Sequence, residues 1–195
     1  MNDPNNAPPV HPLPPVVLLL FAAITLPELV FMLGAQGIVC SPEAVGWRLA
    51  AIETYGFSGD LFDWMMANGR WMPEHLIRLV TYAFVHGTFT ATLFAAVLML
   101  ALGKMVGEGM GQVAVLVLFV GGSAFGALLY ALLLDDPAWL VGGFPGVYGL
   151  IGGYSFLMWQ RLAETGQQQL RAFSLIAVLL GIQLLFGVFF GPTTQ

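Results

Sequence analysis

Charge is the scarce component of this chain. Only 9% of its 195 residues are Asp, Glu, Lys or Arg, where a soluble domain carries about 25%. Too few are present to coat a water-facing surface. Six Lys and Arg against eleven Asp and Glu cannot neutralise a run of phosphates, which excludes nucleic-acid binding. The single cysteine, Cys40, excludes an internal disulfide and any cysteine-based zinc or iron–sulfur cage. Short strands do not alternate with polar amphipathic helices, which excludes the dinucleotide folds. Beyond His86 the chain contains neither histidine nor asparagine. What is present is apolar: 58% of the residues are hydrophobic, with a mean hydropathy of +0.83. Intrinsic disorder is excluded on the same ground. The composition is that of an integral membrane protein.

Crossing the hydrocarbon takes roughly 20 apolar residues per helix. Five stretches qualify: about Pro15–Val39, Leu79–Leu102, Val113–Leu134, Ala138–Trp159 and Ala172–Phe190. Unpaired backbone cannot sit in lipid and barrel-like alternation is absent, so each reads as a helix. The expected fold is an all-α, polytopic transmembrane helical bundle. Residues 1–14, rich in Pro and Asn, read as a disordered or extended N-terminal arm ahead of a transmembrane domain over 15–195. The first stretch has no Lys or Arg before it and is too long for the apolar core of a cleavable signal.

The longest polar segment lies between the first two stretches, about residues 40–78. Ser41-Pro42-Glu43 reads as a helix start, followed by Val45, Leu49 and Ile52 on one face. Leu61, Phe62, Trp64, Met65 and Met66 form a second apolar cluster, too short to span. Both read as helices lying in the membrane interface. The remaining connections are short: Lys104–Gln112, Asp135–Pro137 and Gln160–Arg171. Lys104, Arg161 and Arg171 in short loops place the N-terminus in the cytoplasm and Asp135 and Asp136 outside.

Glycine is abundant, with 24 residues. Small-xxx-small spacing recurs at Gly103/Gly107/Gly111, Gly122/Gly126, Gly142/Gly146 and Gly149/Gly153. This spacing lets helix backbones approach closely in a bilayer. Two readings stand: packing within the bundle, or a face on which a foreign transmembrane helix docks.

The segment from Arg78 through Thr81-Tyr82-Ala83-Phe84-Val85 to His86, then Leu102-Gly103 and Gly107-Glu108, then Gly142-Gly-Phe-Pro-Gly-Val-Tyr-Gly149 resembles the rhomboid family. That family comprises intramembrane serine proteases and inactive relatives. The resemblance covers roughly Cys40–Trp159, including the large interfacial loop. It implies six spans, against the five expected here, and four groups that perform the chemistry. A serine in Gly-x-Ser-Gly attacks the peptide and a histidine on the sixth span acts as base. A second histidine and an asparagine on span two steady the oxyanion.

Carried onto this sequence, every one of these positions lacks its group. Anchoring on His86 places the oxyanion positions at Ala91 and Ala95. Aligning the glycines puts Pro145 at the nucleophile, and aligning Tyr148-Gly149 puts Phe144 there. A protease using the family mechanism is excluded on this reading. Ser123 and Ser155 lie in spans and Ser174 opens span five, each read as bonded to a helix carbonyl or placed for close packing. His86 sits at the family's structural histidine position, which implies a hydrogen bond to the loop. His75 and Glu74 lie at an interface, no metal-ligand spacing occurs in the spans, and no cofactor is expected.

Glu28 is out of place, following Pro27 near the middle of span one, where an ionised carboxylate is expensive. It reads as a proton or cation relay or a contact to a partner subunit. Otherwise it is bonded to Arg, Thr or a neighbouring helix. The expected function is that of a catalytically dead rhomboid in a bacterial inner membrane, binding transmembrane helices of client proteins. The alternative is a permanent accessory subunit of a larger membrane complex. A hydrolase with an unusual site and an ion path through Glu28 come after these.

Overall fold

The structure, a computed structural model, describes residues 12–38, 42–134, 136–166, 169–174, 176–178 and 181. The first helix, α1 (Pro15–Ala35), starts on a proline, whose missing N–H costs nothing in the first turn. It stops four residues short of the expected Val39. Gly37 adopts φ +69°, and the Gly37 and Ile38 amides donate back to Gly34 and Leu33 at 3.1 and 3.2 Å. That Schellman pair closes the helix end. Cys40 and Ser41 lie outside the described residues, and with them the expected serine cap.

The interfacial segment folds as expected into short helices. A 3-10 turn at Pro42–Gly46 leads into α2 (Trp47–Tyr55), which buries none of its side chains. Val45 and Leu49 stay exposed, as an interfacial helix facing lipid requires. Helix α3 (Gly59–Asn68) is capped by Ser58, whose hydroxyl accepts from the Leu61 amide, and buries Phe62 and Met65. Phe62 packs against Phe57 and Trp71. Two single turns, α4 (Pro73–Leu76) and α5 (Arg78–Thr81), and a 3-10 turn at Tyr82–Phe84 follow.

Span two does not begin at Leu79. It is α6, Phe89–Met110. Val85 and Thr88 are extended, and the Thr88 hydroxyl caps the new helix by accepting from the Ala91 amide at 3.2 Å. An apolar count cannot see this break, because the residues on both sides of it are hydrophobic. The connection expected over Lys104–Gln112 also contracts. Helix persists to Met110, and Gly111 at φ +89° joins it directly to α7 (Gln112–Leu133).

Helix α8 starts at Phe144 rather than Ala138 and ends at Glu164. The residues before it pair with the interfacial loop, through reciprocal Phe57–Leu140 backbone bonds of 3.1 and 2.8 Å. Three described helices, α1, α6 and α7, are long and apolar enough to cross a membrane. The less apolar α8 carries four glycines and two tyrosines. It runs antiparallel alongside α7, with Gly126 against Pro145, Gly122 against Gly149 and Leu118 against Gly153. The fifth expected span, Ala172–Phe190, lies mostly outside the described residues, as do Asp135 and residues 1–11.

The core joins α1, α6, α7 and α8 through Ile24, Met99, Val106, Phe119 and Leu150. A smaller cluster of Phe57, Phe62, Met65, Tyr82 and Ala127 fastens the interfacial loop to α7. Large apolar side chains cover the outside, among them Leu19, Val113 and Leu133. In hydrocarbon they need no burial, so contact between the helices rests on fit rather than on apolar area.

Candidate functional site

The glycine-rich segment on which the resemblance rests leads into the first turn of α8. Gly142, at φ +103°, turns the chain so that the Gly143 amide points at His86. That amide donates to His86 Nε2 at 3.0 Å. Nε2 therefore carries no proton, and the neutral ring holds it on Nδ1, which has no partner among the described residues. His86 precedes the spanning helix α6 and is 2% exposed. Burial pushes its pKa down to about 4; nearby Glu28 opposes the shift and Arg48 adds to it.

Pro145 occupies the first turn of α8, where a proline ring fits without losing a helix hydrogen bond. It is seated against α7: a Cβ at Gly126 would stand 2.5 Å from Pro145 Cβ, and one at Gly122 would stand 2.8 Å from the Pro145 carbonyl oxygen. Phe144 lies half-buried beside it, and Ala95 is buried on α6. Ala91 sits in the first turn of α6, its amide committed to Thr88.

Ser123 is engaged and Ser155 is remote from His86. Ser123 donates to the Phe119 carbonyl at 2.8 Å, while its own carbonyl accepts from the buried Tyr82 hydroxyl at 2.7 Å. Ser155 is buried without a partner among the described residues. It lies twelve residues along α8 from Gly143, about 18 Å at 1.5 Å per residue, too far to meet His86.

Glu28 holds the centre of the best-connected polar cluster. Arg48 reaches in from α2 and grips both of its carboxylate oxygens, at 2.6 and 2.9 Å. Thr92 of α6 donates to the same carboxylate at 2.9 Å. Arg48 also donates to the His86 carbonyl at 2.8 Å and lies over the Phe31 ring. Glu28 is only 4% exposed, and two parallel guanidinium bonds are among the strongest pairings available to a buried carboxylate. The cluster ties α1, α2, α6 and the His86 turn together. The sequence exposed Glu28 but concealed Arg48, which sits among ordinary loop charges.

Arg78 anchors the other side of the loop, its guanidinium 5.6 Å from the centre of the Trp139 ring. Of the spaced glycines, Gly111 has open space at its Cβ position and the others face inward. Gly103 meets Val17, Gly107 meets Pro14, Gly146 meets Ser123 and Phe119, and Gly149 and Gly153 meet Leu118. A foreign helix could reach these faces only by parting the bundle. No group of three or more potential metal ligands occurs among the described residues.

The sequence matches the Rhomboid domain over residues 73–193. The chain belongs to the rhomboid family. This rhomboid-like membrane protein has its matched region begin at α4, so residues 40–72 of the interfacial loop, which the resemblance was expected to include, fall outside it. No curated protein and no solved structure matches the chain.

Proposed function

We propose that this rhomboid family member is catalytically inactive and binds transmembrane helices of client proteins without cutting them. Pro145 carries the reading. It stands where the glycine alignment puts the nucleophile and is packed into the Gly122/Gly126 face of α7, with no hydroxyl to offer. The alanines at the oxyanion positions and the commitment of His86 to the Gly143 amide support it. Clients meet the protein at a lateral hollow of about 300 Å³ rather than at the glycine faces. Pro27, Phe31, Ala51, Tyr55, Thr81 and Phe84 line that hollow, between α1 and the interfacial helices. We place the protein in a bacterial cytoplasmic membrane with its N-terminus inside.

The test is purification of the tagged chain from native membranes in mild detergent. Single-span proteins at variable, substoichiometric ratio are expected, and filling the hollow with Ala51→Trp should release them. A partner set at fixed ratio would instead make the chain a permanent subunit. Labelling by a serine-directed fluorophosphonate, abolished by one Ser→Ala change, would overturn the assignment of inactivity.

A further inference from the structure

The bundle holds a second cavity, of about 460 Å³, that neither the family site nor the interfacial loop uses. Its size falls in the ~300–1,000 Å³ range of ligand sites. Leu102 and Met105 of α6 and Tyr154 and Met158 of α8 form its walls, with Arg171 and Ser174 across from them. Met105 lies five residues from the end of α6, about 8 Å at 1.5 Å per residue. The cavity therefore lies near one face of the bilayer, walled by two packed helices.

Its charge is one-sided. Arg171 is the one charged side chain on the wall among the described residues, and it makes no ion pair or hydrogen bond among them. Lys104 of α6 is turned to Glu108 at 3.9 Å. Arg161 and Glu164 belong to the end of α8, beyond the wall. An apolar hollow with a guanidinium unpaired among the described residues fits an amphiphile with an anionic head. A free phosphate would leave the apolar wall empty. A zwitterionic headgroup would bring an ammonium for which the wall offers no carboxylate.

We propose that this cavity binds an anionic phospholipid, one acyl chain lying between α6 and α8 and the phosphate on Arg171. Basic pockets between membrane helices select such headgroups, with roughly a five-fold preference for one cation near the surface. The probe is an equal mixture of phosphatidylglycerol and phosphatidylcholine, added to the delipidated full chain in detergent and read by native mass spectrometry. Phosphatidylglycerol should be retained about five-fold over phosphatidylcholine. Arg171→Gln should remove that preference, whereas Arg161→Gln, an arginine off the wall, should keep it. Both variants are checked for unchanged tryptophan-fluorescence melting. Equal retention of the two lipids, no retained lipid, or the same loss in both arginine variants would each overturn the proposal.

Discussion

The Arg48–Glu28 pair offers the sharpest test of how the interfacial loop is held. Replacing Arg48 with Met removes two bonds to the carboxylate and one to the His86 carbonyl. It leaves Glu28 buried at 4% exposure with Thr92 as its remaining donor. Breaking a buried pair from one side costs ~3–5 kcal/mol. Arg48 is 26% exposed, so water softens the loss and the lower figure, about 3 kcal/mol, applies. Glu28→Leu should cost a similar amount, since it strands the guanidinium instead. The double variant Glu28→Leu/Arg48→Met removes both charges together and should be no less stable than either single change. That corresponds to a coupling of about 3 kcal/mol. Equilibrium unfolding in mixed dodecyl maltoside and dodecyl sulfate micelles, followed by tryptophan fluorescence, measures all three variants. Additive losses, with the double variant near 6 kcal/mol on the same ~3 kcal/mol scale, would refute the reasoning. The cluster would then not be acting as a unit.

Two further predictions concern packing and pH. Gly149→Ala drives a methyl group into the Leu118 carbonyl, whereas the same change at Gly152 meets nothing within 4 Å. The first should cost about 2 kcal/mol and the second should gain up to about 1 kcal/mol from helix propensity; equal effects in the same unfolding assay would mean that α7 and α8 are not in close contact there. His86 in the folded chain titrates near pH 4, below the ordinary 6.5, chiefly through burial, with Glu28 and Arg48 facing it. The unfolded chain takes up its proton first, so the His86 contribution is intact above pH 6.5 and is lost as pH falls toward 4. The loss amounts to about 3 kcal/mol. His86→Gln should flatten that stretch of the stability–pH curve, and an unchanged slope would show that His86 is not the group responsible.

Much of the architecture was legible because the bilayer demands long apolar helices and little else. The first and third spans were readable to within a few residues, since proline at one end and a glycine-closed turn at the other bound α1. Span two was misplaced because hydropathy is blind to caps. Leu79 to Phe84 is as apolar as a span, yet extended residues at Val85 and Thr88 end one segment and start the next. The glycine spacing was visible, but spacing cannot say whether the partner is the same chain or another. Only the placement of Pro145 against Gly126, or of Leu118 against Gly153, supplies that.

The polar cluster was half legible for a related reason. A carboxylate in an apolar stretch announces itself, because a bare charge there is untenable. Its partner does not, because Arg48 looks like any loop cation until the loop is folded against the bundle. Once Arg48 is placed, the same guanidinium touches Glu28 and the His86 carbonyl, and the His86 ring touches the first turn of α8. One continuous chain of hydrogen bonds thus runs from the middle of α1, through the interfacial loop and His86, to the Gly143 amide at the start of α8. A loop lying on a membrane surface has little apolar area to hold it, since its outward face is already in lipid. Charge-assisted bonds are the stronger fastening available to it. They fix the loop over the Gly143 turn that opens α8, with Pro145 in the helix's first turn.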